Sequence, residues 1–147
     1  MRKYEIRFAD LQDAENLHIL ERENFQEPWS VQNFTDCITN PNGRVVICEN
    51  QGELVGCVAC YVAADEGEID SVVVKKEARK CGIGGKMLHF LHEEVEKIGV
   101  HYLFLEVRES NLPAQRLYEK MGYENVGKRP KFYQNPQEDA YIYKREQ

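Results

Sequence analysis

The chain has 147 residues, of which 42% are hydrophobic and 30% charged, a length and composition that predict one globular domain with a single core. Nineteen Lys and Arg residues against 25 Asp and Glu residues give a formal net charge of −6, which disfavours direct binding of nucleic acid through its phosphates. No apolar run approaches the roughly 18 residues of a membrane span, and the start MRKYEIR carries charges where a signal peptide is apolar. We therefore expect a cytoplasmic protein without a membrane-spanning segment.

The five cysteines are odd in number and form no disulfide framework, which favours reduced thiols. Cys57 and Cys60 lie in an apolar run, and no second cysteine pair or nearby histidine completes a metal site. On a strand they would face opposite ways and pack as ordinary core residues. His89 and His92 stand three apart on a predicted helix without supporting carboxylates, so we expect surface histidines and no metal.

The first half of the sequence predicts a strand, two helices and three strands. The strand is Tyr4–Phe8, and the helix at 10–24 has an apolar stripe of Leu11, Ala14, Leu17, Ile19 and Leu20. Pro28 and Trp29 break the chain before a second helix, for which Ser30 is the expected N-cap. The next segments, 44–49, 53–62 and 68–75, are rich in β-branched residues and predict an antiparallel meander.

The second half alternates helices with strands. A glycine-rich turn at 79–85 opens a helix that Gly99 ends, and a buried strand follows at 101–107. Ser110 and Asn111 begin a helix closed by Gly122, before strands at 123–126 and 140–143. The order βααβββαβαββ predicts an α/β fold with a mixed sheet, a right-handed parallel crossover and helices on both faces.

The glycine-rich turn has the chemistry of a phosphate-binding loop, because backbone N–H groups and the positive end of a helix converge there. Two familiar loops do not fit. Met87 stands where a dinucleotide fingerprint needs its third glycine, and Lys80 where a nucleoside-triphosphate loop needs a glycine. Taken alone, the turn could also be a simple entry into a helix beside a strand.

The hexapeptide Arg79-Lys80-Cys81-Gly82-Ile83-Gly84 resembles the Gln/Arg-x-x-Gly-x-Gly/Ala turn of the GCN5-related N-acetyltransferase (GNAT) superfamily. Within it, most of the chain resembles the bacterial ribosomal-protein alanine N-acetyltransferases, which modify the amino-terminal alanine of small-subunit protein S18. Two positions depart from the family pattern: Val72-Val73-Val74 replaces Ile-Ala-Val, and Phe132 replaces a tyrosine. The segments that carry the resemblance are EPWS at 27–30, 72–74, LEVRESN at 105–111, Ala114, LYEKMGY at 117–123, Arg129, Tyr133 and EDA at 138–140.

The resemblance implies direct transfer of acetyl from acetyl-CoA to an amine, without an acyl-enzyme. It assigns the pyrophosphate to the turn, with charge added by Arg79 and Lys80, and the pantetheine arm to the backbone of the strand at 72–74. Asn111 could cap its helix, bind the cofactor or do both. The implied cofactor-binding residues are Val72, Val73, Val74, Arg79, Lys80, Cys81, Gly82, Ile83, Gly84, Gly85, Asn111 and Tyr118.

The resemblance also assigns the proton transfers and the acceptor site. Glu106, otherwise an exposed strand end, becomes the general base acting through a water. Tyr118, whose place on an apolar stripe also fits packing, becomes the proton donor to the CoA thiolate. Trp29, Arg129 and Tyr133 are the expected substrate-binding residues, although Trp29 could equally fill the core.

The implied partner is a protein amino terminus, that of ribosomal protein S18, with the enzyme a monomer or weak dimer. An α-amine, with a pKa near 7.7 to 8.0, is far more often neutral at pH 7 than a lysine near 10.4. Two alternatives remain open at this point. The chain could acetylate another amine, such as a lysine, a polyamine or a small molecule, or it could be a non-catalytic acyl-CoA-binding module.

Overall fold

The computed structural model describes residues 3–147, so the first two residues of the charged amino terminus lie outside it. Seven strands form one sheet in the order β1-β2-β3-β4-β5-β7-β6, which confirms the predicted mixed α/β fold and element order. The strands are β1 (Tyr4–Phe8), β2 (Gly43–Asn50), β3 (Glu53–Ala63), β4 (Glu66–Val74), β5 (Tyr102–Arg108), β6 (Glu124–Tyr133) and β7 (Glu138–Glu146). The helices are α1 (Ala14–Asn24), α2 (Val31–Thr39), α3 (Ile83–Glu96) and α4 (Leu112–Lys120), with short 3-10 turns at Leu11–Asp13 and Lys76–Ala78.

The sheet has one hydrophobic core on each face. Successive side chains of β3 point to opposite faces of the sheet and so contribute to both cores. Val58 and Cys60 face the core that includes α3 and α4, whereas Cys57 and Ala59 face the core that includes α1 and α2. The predicted opposite orientation of Cys57 and Cys60 is therefore confirmed. Four of the cysteines, Cys37, Cys48, Cys57 and Cys60, are free thiols and are buried.

Both predicted helix caps form. The Ser30 side chain accepts a hydrogen bond from the Asn33 N–H, and the Asn33 side chain accepts one from the Ser30 N–H, each at 3.0 Å. Asn111 caps α4 by accepting from the Ala114 N–H at 3.2 Å. These bonds satisfy N–H groups that have no partner inside the helix.

Three predicted segments differ from the structure: the first helix and the last two strands. The helix expected at 10–24 begins as a 3-10 turn, and Leu11 and Ile19 are 56% and 40% exposed. The buried face of α1 instead consists of Ala14, Leu17, Leu20 and Glu21. The last two strands are longer than expected. The residues of β6 are mostly exposed, so the sequence has no hydrophobic pattern there to indicate a strand, and β6 is extended because it pairs with β7.

The centre of the sheet opens between β4 and β5, which pair in parallel. These strands pair only where Glu66 to Ile69 lies beside Tyr102 to Leu105. Ala59 pairs with Ser71 and Cys60 with Ile69, so Asp70 is an extra residue that forms a bulge in β4. Beyond the bulge β4 continues beside β3, and β5 continues beside β7. Within residues 3–147, no helix is both long and apolar enough to cross a membrane.

Candidate active site

A cavity of about 700 Å³ lies where β4 and β5 separate. Five parts of the chain form its walls: β4 around the bulge, the end of β5, the end of α1 with its following loop, α4, and the β6–β7 hairpin. Six predicted site residues line it: Trp29, Val72, Glu106, Asn111, Tyr118 and Tyr133. The fold therefore brings together side chains that are up to about a hundred positions apart in the sequence.

Glu106 presents a mostly buried carboxylate to this cavity. Its side chain is 15% exposed, and one oxygen lies 3.3 Å from Nε of Arg129. Burial raises the pKa of Glu106, the negative charge of Glu68 adds to the rise, and Arg129 opposes it. The carboxylate is consequently a stronger base than an ordinary exposed glutamate.

Asp70, which the sequence did not single out, places a second carboxyl group in the cavity. Desolvation of that carboxyl raises its pKa to about 6, with further contributions from Glu68 and Glu106. The bulge in β4 accounts for its position, and no short sequence motif marks such a bulge. The centre of the cavity is therefore acidic and favours a cationic group.

Tyr118 lies on α4 and is 7% exposed. Its ring packs against those of Tyr123 and Tyr143, with centroid distances of 5.8 and 6.2 Å. Burial raises the pKa of the phenol, and nearby Tyr133 adds to the rise. The hydroxyl therefore keeps its proton at physiological pH and can donate a hydrogen bond into the cavity.

The glycine-rich turn leads into α3 through two left-handed residues, Lys80 with φ 66° and Gly82 with φ 77°. Gly82, the N-cap residue of α3, has no side chain with which to cap the helix, so the first N–H groups are suited to an anion. Gly84 allows α3 to approach α4, since a Cβ there would lie 2.9 Å from Cδ2 of Leu117. The turn thus has the features of an anion site, and the pyrophosphate that the family resemblance assigns to it stays a prediction.

Arg79 connects this turn to neighbouring elements. Its Nε donates to the Val74 carbonyl at 3.1 Å, and its Nη2 donates to Oδ1 of Asn24 at 2.8 Å. Val73 is buried in the core beside α1 and α2, whereas Val72 and Val74 pack partly against the opposite core. These three side chains pack in the two cores. The backbone N–H and C=O groups on the edge of β4 that faces the gap are therefore the groups that could bind an amide-bearing ligand.

The β6–β7 hairpin is held over the cavity by Arg108, which sequence reasoning missed. Its guanidinium donates to the carbonyls of Gln134 and Pro136 at 3.0 Å each, and it pairs with Glu138 at 3.1 Å. It also lies 4.4 Å from the centroid of the Tyr133 ring. Arg108 therefore fixes Tyr133 in the cavity wall.

Comparison with known proteins identifies the family. Residues 9–123 match the acetyltransferase (GNAT) family. The chain belongs to that family. It is 32% identical over 127 residues, 84% of each chain, to the ribosomal protein bS18-alanine N-acetyltransferase of Haemophilus influenzae. It is 33% identical over 138 residues, 93% of this chain and 88% of the other, to an uncharacterised N-acetyltransferase of Methanocaldococcus jannaschii.

The crystal structure of the ribosomal-protein-S18-alanine N-acetyltransferase from Escherichia coli has a TM-score of 0.90 to this GNAT acetyltransferase. The two are 27% identical, and the match covers 98% of this chain and 94% of the other. The family resemblance read from the turn and from the segment at 105–111 is thereby confirmed.

Other predicted site residues have mixed surroundings. Trp29 is half-buried and packs against the rings of Phe34 and Tyr61, at centroid distances of 5.1 and 6.5 Å, while it also lines the cavity. The two interpretations of Trp29, as a core residue and as a cavity-wall residue, are thus compatible.

Arg129 is exposed and contacts the site through its ion pair with Glu106. Phe132 is 46% exposed and packs edge-on against Tyr133.

The prediction that His92 lies at the surface is wrong. The residue is 4% exposed, and its Nε2 is hydrogen-bonded to the Tyr123 hydroxyl at 2.7 Å. Its place four residues after Leu88 and three before Val95 puts it on the buried face of α3. His89, in contrast, is exposed and contacts Glu93. Within residues 3–147, no group of three or more His, Cys, Asp or Glu residues is placed to hold a metal ion.

Burial of His92 predicts a pH-dependent loss of stability. Burial, followed by the charges of Arg145 and His89, lowers its pKa from 6.5 to about 3. Between these two pKa values His92 binds a proton in the unfolded chain but not in the folded chain. The free energy of unfolding is therefore highest above pH 6.5 and decreases as the pH falls towards 3. Between pH 7.5 and 5, the wild type should lose about 2 kcal/mol more unfolding free energy than His92→Leu. Urea titrations at both pH values measure this, and equal losses would contradict it.

Proposed function

We propose that this GNAT acetyltransferase transfers acetyl from acetyl-CoA to the α-amine of a protein amino terminus, and that its substrate is the amino-terminal alanine of ribosomal protein S18 in the cytoplasm. The observation that carries the proposal is the placement of a basic carboxylate, Glu106, and a proton-bearing phenol, Tyr118, on the wall of one cavity. The activity of the H. influenzae relative, a ribosomal protein bS18-alanine N-acetyltransferase, supports the choice of acceptor.

The cofactor would be held by two backbone features. The N–H groups of the turn at 80–85, with the charges of Arg79 and Lys80, suit its pyrophosphate. The edge of β4 at Val72 to Val74 suits the amides of its pantetheine arm. When bound, acetyl-CoA supplies a thioester whose carbonyl carbon accepts the amine.

The reaction needs one proton removed from nitrogen and charge stabilised on sulfur. The amine nitrogen forms a bond to the acetyl carbon while the carbon–sulfur bond breaks. Glu106 takes the amine proton through a water, and the raised pKa of its carboxyl improves it as a base. Tyr118 donates a hydrogen bond to the departing sulfur. Since burial raises the pKa of that phenol, the hydrogen bond matters more than complete proton transfer.

The acceptor pocket would lie between the α1–α2 loop and the β6–β7 hairpin. Trp29 and Tyr133 both line the cavity, and in this proposal their rings bound the pocket that admits only a small first side chain. Asp70 and Glu106 supply negative charge where the terminal ammonium enters. The net charge of −6 further favours a cationic acceptor at low salt.

The test compares three forms of one basic peptide: Ala-first, Trp-first, and amino-terminally blocked with an internal lysine. The proposal expects the Ala-first peptide to react fastest, because its amine is the most readily neutral and its side chain is small. Initial rates of thiol release measure the preference. If the blocked peptide reacts as fast, the acceptor is a lysine or another amine. If no amine releases thiol, the chain is a non-catalytic acyl-CoA-binding module.

The pyrophosphate assignment predicts a charge effect at Cys81. This residue lies in the turn with its side chain partly exposed. Cys81→Asp should weaken acetyl-CoA binding about tenfold by repulsion, while Cys81→Asn, of the same shape but neutral, should keep most of the affinity. Calorimetric titration of both variants measures this. Equal affinities for Asp and Asn would place the pyrophosphate elsewhere.

A further inference from the structure

The peptide unit of Trp29 is held from both sides by side chains of α1. Nδ1–H of His18 donates to the Trp29 carbonyl at 2.7 Å. The Trp29 N–H donates to Oε1 of Glu21 at 3.2 Å. Because His18 and Glu21 are three residues apart, they lie on one face of the helix. The indole therefore extends from a backbone that is fixed at two points.

Glu21 also binds the sheet. Its second oxygen, Oε2, accepts a hydrogen bond from Oγ of Ser71 at 2.6 Å. Ser71 follows the Asp70 bulge and directly precedes Val72, at the point where β4 leaves β5. One carboxylate thus joins the proposed acceptor wall to the strand proposed for the pantetheine arm.

This carboxylate is costly for stability. Glu21 is 2% exposed and Ser71 is 8% exposed, and within residues 3–147 no Lys or Arg forms an ion pair with Glu21. Burial raises the pKa of Glu21, while the bonds from Ser71 and Trp29 and the charge of His18 oppose the rise. An apolar residue would fill a core position of α1 at lower cost.

We propose that Glu21 is a positioning residue that sets the distance between the Trp29 indole and β4, and through it the size of the pocket for the acceptor's first residue. The inference rests on the proposed function, in which Trp29 bounds that pocket. Loss of the bridge should leave the acetyl-CoA turn intact, since the turn contacts α1 through Arg79 and Asn24 instead.

The test uses Glu21→Leu, whose side chain is of similar size and can accept from neither the Trp29 N–H nor the Ser71 hydroxyl. The KM for the Ala-first peptide should rise about tenfold, with the KM for acetyl-CoA unchanged. The preference for Ala-first over Trp-first peptide should also fall. Ser71→Ala should give part of this effect, and the double variant should be less than additive. Glu23→Leu, on the exposed side of the same helix, is the control and should match the wild type.

A second readout does not depend on activity. Trp29 is the only tryptophan in the chain, so intrinsic fluorescence reports on its position directly. Acrylamide should quench it more strongly in Glu21→Leu than in the wild type or in Glu23→Leu. Unchanged quenching, an unchanged acceptor KM, or an equal rise in both KM values would overturn the inference. If the wild type prefers another amine, the proposed acceptor is wrong, and the quenching result still decides the role of Glu21.

Discussion

Replacing Glu106 by glutamine should lower kcat/KM for an Ala-first peptide by about 10² to 10³ near pH 7, while the affinity for acetyl-CoA stays nearly constant. The substitution preserves shape but removes the group that takes the amine proton. Because only the ionised carboxylate is a base, wild-type activity should also fall as the pH drops through the raised pKa of Glu106.

The deficit should shrink at high pH, where the amine is neutral without help. Steady-state kinetics between pH 6 and pH 9.5 measure this, with Glu124→Gln, an exposed substitution on β6, as the matched control. Removal of the charge also unpairs Arg129, so unfolding curves should accompany the kinetics. A variant that folds and has the wild-type rate at every pH would remove Glu106 from the mechanism.

Replacing Tyr118 by phenylalanine should lower kcat by about 10- to 100-fold with little change in the peptide KM. The ring contacts with Tyr123 and Tyr143 remain, and only the hydroxyl that stabilises the departing sulfur is lost. Because burial raises the pKa of Tyr118 above its ordinary value, its ionisation should cause no loss of wild-type activity below pH 10.

Tyr143→Phe is the matched control for this substitution. Its ring also contacts Tyr118, but its hydroxyl donates to Glu119 at 2.9 Å, and Tyr143 does not line the cavity. The control should lose about 1 kcal/mol of stability and keep its kcat. If Tyr118→Phe keeps the wild-type kcat, Tyr118 is a packing residue, as its apolar helical stripe alone would indicate.

Local patterns in the sequence were sufficient for most of the fold and part of the site. Segments rich in β-branched residues indicate β2 to β4, and the capping residues Ser30 and Asn111 indicate the starts of α2 and α4. Glu106 and Tyr118 could be chosen because the segments at 105–111 and 117–123, which resemble the family's, are short and local. Their shared cavity depends on how β5 and α4 pack.

The residues that escaped prediction act through distant partners. Glu21 binds Ser71 across 50 positions, and Arg108 holds carbonyls of a hairpin more than 25 positions away. Asp70 reaches the cavity through a bulge. Of these residues, only Glu21 and His92 could have been found from the sequence pattern. Each is a polar residue on the buried face of its helix, and the cost of burying a polar group implies a specific partner.

The most direct test of the central claim is the location of the acetyl group on an S18 protein that begins with alanine. Purified enzyme, acetyl-CoA and that protein are incubated, and the product is fragmented in a mass spectrometer. The account predicts one added acetyl group, on the α-nitrogen of the first alanine, and none when that nitrogen is blocked beforehand. Acetyl groups on lysine side chains, or an unmodified S18 protein under conditions in which a polyamine or small amine is acetylated, would contradict it.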